Sequence, residues 1–132
     1  MNLQYKYNAP LRAEEMADVF RKSGIKRPTG DLDRLGRMIE HADLLVTAWD
    51  GERLVGLARA VTDFSYCCYL SDLAVDADYQ RQGIGAELVR LVREKLGEEV
   101  SLVLLSAPSA MDYYPRIGFE RSDRAFVVPR AK

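Results

Sequence analysis

This chain of 132 residues has little of what nucleic-acid-binding and membrane proteins require. Its 19 Lys and Arg are balanced by 20 Asp and Glu, so no basic excess exists to neutralise a phosphodiester backbone. No apolar run approaches the length of a bilayer crossing, and the N-terminus lacks the apolar core of a signal peptide. We therefore expect neither a nucleic-acid partner nor a membrane.

Histidine and cysteine are also scarce. His41 is the only histidine, and it lies near the end of a predicted helix, where capping is more frequent than catalysis. One histidine and two adjacent cysteines, Cys67 and Cys68, supply too few ligands for a metal. Neighbours in a strand are also poorly placed for a disulfide. We expect no metal, two reduced thiols and a cytoplasmic protein.

The sequence does contain a regular succession of strand and helix patterns. Hydrophobic residues make up 48% of the chain and charged residues 30%, which is typical of a globular protein, here one domain over 1–132. Asp50 and Gly51 between two apolar runs predict a hairpin. The full order is strand, two helices, three strands, helix, strand, helix and a last strand or hairpin at 119–129. We expect an α+β domain whose helices surround a mixed central sheet.

Two glycines, Gly83 and Gly85, stand where the most regular helix pattern begins. The first N–H groups of a helix lack intrahelical partners and carry partial positive charge. Without side chains at these positions, a phosphate oxygen can reach those groups, with Arg81 and Gln82 as added donors. The alternative is that Gly83 only bends the chain between strand and helix.

Other nucleotide motifs do not fit this turn. The third glycine of the dinucleotide fingerprint is Leu88 here, and no Gly-Lys-Ser/Thr follows. The stretch 73–89 instead resembles the acetyl-CoA-binding core of the GNAT superfamily of N-acetyltransferases, whose Gln/Arg-x-x-Gly-x-Gly/Ala pattern is present. A second family motif has an aromatic and Tyr four residues before Gly-Phe. The two motifs match Gln80, Gly83 and Gly85, and Tyr113, Tyr114, Gly118 and Phe119.

The resemblance implies a fold, a co-substrate and its contacts. The GNAT fold implies about six to seven strands and about four helices. Acetyl-CoA would pair through its pantetheine arm with the backbone of Leu73 and Val75. The family's Asn seven residues before the Tyr is Ala107 here, so one cofactor contact is missing. The CoA pyrophosphate would bind backbone N–H groups of the turn made by Gln80, Arg81, Gln82, Gly83, Ile84, Gly85 and Ala86.

The resemblance also implies catalytic roles. The Leu73 N–H would face the acetyl carbonyl and stabilise the oxyanion that develops there. Tyr114 would protonate the departing CoA thiolate, although a core aromatic is the alternative for this residue. The Glu that some relatives use as a base is Tyr69 here. Asp72 is the remaining candidate base, provided that a β-bulge turns it toward the acceptor; otherwise it is a buried structural carboxylate.

The acceptor is expected to be the amine of a small molecule. Asp63, Phe64, Tyr66 and Tyr69 are predicted near its pocket, and aromatics beside carboxylates suit a cationic amine with a flat group. Ordinary packing of half-buried strands is the alternative. The chain is also loosely similar to arylalkylamine-type members such as the plastid serotonin N-acetyltransferases.

We therefore expect an N-acetyltransferase that acts by direct attack of a primary amine on acetyl-CoA. Acetylation of a protein Lys or N-terminus is one alternative, and a non-catalytic acyl-CoA-binding sensor is another. A homodimer that pairs through residues 124–129 is a further expectation.

Overall fold

Five strands form one mixed sheet in the computed structural model, which describes residues 2–132. The strands lie in chain order: β1 (Leu3–Tyr7), β2 (Leu44–Asp50), β3 (Arg53–Thr62), β4 (Cys67–Val75) and β5 (Ser101–Val103). Neighbours from β1 to β4 run antiparallel, and β5 runs parallel to β4. The predicted hairpin is confirmed, because β2 and β3 pair across a turn in which Gly51 has a φ of 60°.

The α-helices also follow the predicted order. The first ends at Gly24, whose N–H donates to the carbonyls of Phe20 and Arg21. Pro115 lies in the first turn of the last helix, where its missing N–H breaks no helical bond. Within residues 2–132, no helix is both long and apolar enough to cross a membrane. The helices are α1 (Ala13–Ser23), α2 (Leu32–Glu40), α3 (Ile84–Leu96) and α4 (Tyr113–Arg116).

The sheet separates two hydrophobic cores. α3 packs on one face, against buried residues of β2, β3 and β4. α1 and α2 pack on the other face, against Leu57 and Ala74. This three-layer arrangement confirms the predicted α+β fold. The most buried helix residues are Ile84, Leu88 and Val92 on the α3 face, and Met16, Phe20 and Leu35 on the α1–α2 face.

The C-terminal segment differs from the prediction. Residues 119–132 form neither strand nor helix, so the described part of the chain has five strands where about six to seven were expected. Phe126 is 96% exposed and Val128 97% exposed. A short apolar run with Phe126 and two valines favours a strand, but a strand is stable only beside a partner. The nearest edge, β5, pairs over three residues and only with β4.

Candidate active site

A cleft opens where β4 and β5 separate. The two strands pair from Cys67↔Ser101 to Tyr69↔Val103. Beyond Tyr69, no strand among residues 2–132 pairs with this side of β4, and we call residues 70–75 on that side its open edge. A separate groove of about 1970 Å3 is lined by α3, β5, α4 and residues 119–125, and by no residue of β4. The open strand edge itself suits an extended ligand.

A β-bulge in β4 decides which backbone groups face the open edge. Arg59 is opposite Asp72, and Ala60 is opposite Leu70, so Ser71 is one extra residue. We call this feature the Ser71 bulge. Because residues two apart in a strand direct their backbone groups to the same side, one inserted residue reverses the sides.

Hydrogen bonds on either side of the Ser71 bulge show this reversal. Before it, the Cys67 carbonyl accepts from Asp63 N, toward β3. After it, Asp76 N donates to the Val55 carbonyl at 2.8 Å. From Asp72 onward, the backbone N–H and C=O groups of the even-numbered residues therefore point toward β3. The Val75 carbonyl accepts from Gln80 Nε2 at 2.9 Å instead. Leu73 and Val75 therefore present N–H and C=O to the open edge, the direction that their predicted roles require.

The bulge also sets which face of the sheet carries each side chain. Leu70 and Leu73 pack against the α3 core, whereas Ala74 packs against the α1–α2 core. Asp72 shares the face of Ala74, because alternate residues of a strand share a face. The bulge on which the role as a base depended thus exists, but it places Asp72 beneath the loop between α1 and α2.

The surroundings of Asp72 argue against its predicted role as a base. Its buried carboxylate accepts from Arg27 Nε at 2.5 Å through one oxygen and from Arg59 Nε through the other. Both carboxylate oxygens are thus occupied by guanidinium donors, which point at them from fixed positions. This arrangement is the one expected of the alternative, a buried structural carboxylate.

The glycine turn leaves the start of α3 without a capping side chain. The N-cap residue is Gly83, with φ 80° and ψ 8°, and no side chain within residues 2–132 makes a capping hydrogen bond there. The first helical bond is that of Glu87 N to the Gly83 carbonyl. The N–H groups of Ile84, Gly85 and Ala86 therefore precede the helical ladder. Gly83 is needed here for its left-handed conformation, which side chains disfavour.

Gly85 has a different reason to be glycine. A Cβ at this position would lie 2.8 Å from the hydroxyl oxygen of Tyr113 and 3.9 Å from a methyl group of Val75. The Tyr113 side chain therefore packs directly over the start of α3, beside the last residue of β4. The sequence matched Tyr113 only as an aromatic before Tyr114. Its contact with Gly85 spans 28 positions and has no local signal.

Tyr114 lies between two aromatic neighbours. Its ring meets Tyr113 at 5.3 Å and Phe119 at 5.5 Å between centroids, both edge to face. Burial raises the pKa of Tyr114, as does Tyr113, whereas the charge of Arg27 acts to lower it. The phenol is therefore protonated at neutral pH and can donate a proton.

Among the residues predicted near the acceptor pocket, Asp63 is engaged by the backbone through its Oδ1 atom. Asp63 accepts from the backbone N–H groups of Tyr66, Ser65 and Cys67, which lower the pKa of its carboxyl. It therefore closes the turn before β4. Tyr69 stands opposite Val61 on β3 and Val103 on β5, in a partly exposed apolar row.

No metal-binding group stands out. Among residues 2–132, no cluster of three His, Cys, Asp or Glu side chains is arranged to hold a metal ion.

Tyr66 and Phe64, also predicted near the acceptor pocket, are exposed at the tip of the turn before β4.

Solved acetyltransferases share this fold. A GNAT family acetyltransferase from Streptococcus pneumoniae superposes with a TM-score of 0.78 at 23% identity, covering 99% of this chain and 100% of that one. The aminoglycoside N-acetyltransferase AAC(6')-Iy, solved in complex with CoA, has a TM-score of 0.72 at 14% identity, covering 99% and 96%. At these identities the likeness shows the fold alone.

Sequence comparison gives the family. The GCN5-related N-acetyltransferase 2, chloroplastic, of Arabidopsis thaliana is 40% identical over 78 residues, which are 54% of this chain and 30% of that protein. The histone acetyltransferase TAP1 of Glycine max is 37% identical over 71 residues, 52% and 31%. The chain thus matches about a third of the length of these curated relatives. Because residues 12–129 also match the family model of the acetyltransferase (GNAT) domain, the chain belongs to the GNAT acetyltransferase family.

Proposed function

We propose that this protein transfers an acetyl group from acetyl-CoA to the primary amine of a small molecule. The observation that carries the proposal is the Ser71 bulge, which directs the backbone of Leu73 and Val75 to the open edge of β4. A short turn after this strand, the chain enters α3, whose first N–H groups have no capping side chain. A strand-like ligand with an anionic group is what such an arrangement can bind.

The residues present fit acetyl-CoA. The N–H groups of Ile84, Gly85 and Ala86 precede the helical ladder and suit a pyrophosphate. The open edge offers the backbone of Leu73 and Val75 to the amide groups of pantetheine. Arg81 and Gln82 are exposed beside the turn as further donors. Gln80 contributes differently, because its side chain fixes the Val75 carbonyl.

The chemistry needs one oxyanion donor and one acid from the chain. Bound acetyl-CoA supplies the acetyl group as a thioester, to which the amine nitrogen adds as the C–S bond breaks. The Leu73 N–H would stabilise the negative charge on the carbonyl oxygen. Tyr114 would give its proton to the departing sulfur. Since Asp72 is held by two guanidinium groups, the amine would lose its proton to water.

Thiol release from acetyl-CoA tests this function. The panel contains arylalkylamines, polyamines, aminoglycosides, amino acids and a Lys peptide, assayed with wild type, Tyr114→Phe and Tyr7→Phe. Tyr7 is a matched control, because its hydroxyl bonds to the Leu91 carbonyl from the far edge strand β1. We expect one amine class to be acetylated, with kcat about 100-fold lower in Tyr114→Phe and unchanged in Tyr7→Phe.

The other outcomes separate the alternatives. Turnover of the Lys peptide alone would indicate a protein acetyltransferase. Tight acetyl-CoA binding without turnover of any amine would indicate a sensor. A protein that does not bind acetyl-CoA would refute the proposal.

A further inference from the structure

Three distant segments of the chain meet at one buried carboxylate. Arg27 comes from the loop between α1 and α2, Arg59 from β3, and Asp72 from β4. The side chain of Asp72 is 0% exposed, that of Arg59 10% and that of Arg27 29%. We call this group the Arg27–Asp72–Arg59 cluster. Buried charges of this kind are tolerated when each is paired and hydrogen-bonded, as these are.

The same two arginines also hold the Ser71 bulge. Arg27 Nη2 donates to the Ser71 carbonyl at 2.8 Å, and Arg59 Nη2 donates to the Ser71 hydroxyl at 3.0 Å. A bulge takes its extra residue out of the ladder between strands and so leaves its backbone groups to find other partners. Here a side chain from the loop between α1 and α2 satisfies the carbonyl.

Arg27 is also fixed on its own side of the contact. Its Nη1 donates to the Lys26 carbonyl at 2.6 Å, and its guanidinium lies 6.0 Å from the ring centroid of Phe20 in α1. The planar fork of the guanidinium therefore joins the loop, the Asp72 carboxylate and the Ser71 carbonyl. A Lys side chain has one donor centre and cannot span the three groups.

We propose that Arg27 is a positioning residue, which holds the Ser71 bulge and thereby keeps the Leu73 N–H directed to the open edge of β4. The inference rests on the proposed function, since that N–H is its oxyanion donor. It makes alignment of the donor depend on the loop between α1 and α2. Without Arg27 the Ser71 carbonyl loses its partner, and the extra residue can move along the strand.

The chain contains a matched control for this contact. Arg53 pairs with Asp76 at 2.9 Å, just beyond the C-terminal end of β4. Asp76 is buried like Asp72, and the pair is again Arg with Asp. Asp76 also accepts from the backbone of Asp78, so its turn remains closed without Arg53. Arg53→Gln therefore removes a comparable ion pair and leaves the Ser71 bulge untouched.

The experiment compares Arg27→Gln, Arg27→Lys and Arg53→Gln with wild type. In the free proteins, backbone 1H–15N shifts of Ser71, Asp72 and Leu73 are measured. With [1-13C]acetyl-CoA bound, the infrared stretch of the thioester carbonyl reports its hydrogen bond to Leu73 N–H. Acetyl-CoA Kd, kcat and KM with the best amine of the panel, and Tm, complete the set.

We expect both Arg27 variants to change the three amide chemical shifts. We also expect them to lose most of the decrease in the thioester carbonyl stretching frequency that acetyl-CoA shows when it binds to wild type. Their kcat should fall about 10- to 100-fold, and acetyl-CoA Kd should rise as well, because the same bulge orients the Leu73 and Val75 groups proposed to pair with pantetheine. Arg53→Gln should resemble wild type in all of these, apart from Tm. Restoration of kcat and amide shifts in Arg27→Lys would overturn the proposal in favour of a simple charge effect.

Two further results distinguish this inference from the proposed function. Amide shifts in Arg27→Gln that match wild type would overturn the inference, whatever the enzyme does. A wild type that neither binds nor consumes acetyl-CoA would refute the function, while the amide shifts still decide whether Arg27 holds the bulge.

Discussion

The N-termini of α2 and α3 solve the same physical problem in opposite ways. At α2, the Asp31 carboxylate accepts from Arg34 N at 3.1 Å and supplies negative charge to the helix dipole. At α3, Gly83 stands at the cap and no side chain within residues 2–132 bonds there. An Asp side chain thus caps one helix, whereas the first N–H groups of the other have no side-chain partner among residues 2–132.

Under the proposed function, this difference marks a place where the protein gives up a little stability for binding. A Gly N-cap is less favourable than Asp or Ser by roughly a few tenths of a kcal/mol. A purely structural turn at α3 would gain from such a residue. The left-handed Gly83 instead leaves the first N–H groups of α3 without a side-chain partner among residues 2–132.

The largest expected effect comes from giving α3 the carboxylate that α2 has. Gly83→Asp places a negative charge at the proposed pyrophosphate site, and like charges a few ångströms apart repel strongly. We expect acetyl-CoA Kd, measured by calorimetry, to rise about 100-fold, or about 2.7 kcal/mol. Gly83→Asn is the control, because Asn adopts the left-handed conformation without the charge. Equal Kd values in the two variants would show that no anion binds there.

The converse change removes the cap of α2. Asp31→Ala should lower the free energy of unfolding by about 1 kcal/mol, measured by urea denaturation, and leave acetyl-CoA Kd unchanged. Asp31→Asn keeps a capping oxygen and should lie close to wild type. If Asp31→Ala weakened acetyl-CoA binding as Gly83→Asp does, the two helix starts would not have separate roles.

A smaller effect tests why Gly85 is glycine. Ala is a better helix former than Gly, but its Cβ would press on the Tyr113 hydroxyl at 2.8 Å. In a Tyr113→Phe background the nearest ring carbon would lie at 3.7 Å, an ordinary contact. We therefore expect the change in the free energy of unfolding caused by Gly85→Ala to be more favourable by about 1 kcal/mol in the Tyr113→Phe background than in wild type. Urea unfolding of wild type, the two single variants and the double variant measures this difference. If the effects of the two substitutions were additive, Tyr113 would not be the reason why residue 85 is glycine.

Much of the fold was predictable because its signals are local. Apolar periodicity predicts α1, α2 and α3, Asp50 and Gly51 predict the hairpin, and Asp31 is recognisable as a cap. The tail was not predictable, because the apolar run around Phe126 indicates strand propensity and says nothing of a partner edge. Its exposure is therefore a property of the sheet rather than of the segment.

The site was predictable only in part. Its motif residues, from Gln80 to Ala86 and at Tyr114, could be matched by resemblance, and their roles stay predictions. The neighbours that give these residues their geometry are distant in the chain: Arg27 is 45 residues from Asp72. Tyr113 is likewise far from the Gly85 that it covers.

The sequence by itself determined the α+β layers, the caps of the early helices and the position of the glycine turn, since each depends on residues a few positions apart. Only the tertiary structure decided the Ser71 bulge and the use of Asp72. A one-residue slip leaves no trace in a strand that is apolar on nearly every position, and a carboxylate is a base or a buried partner according to which cations fold against it.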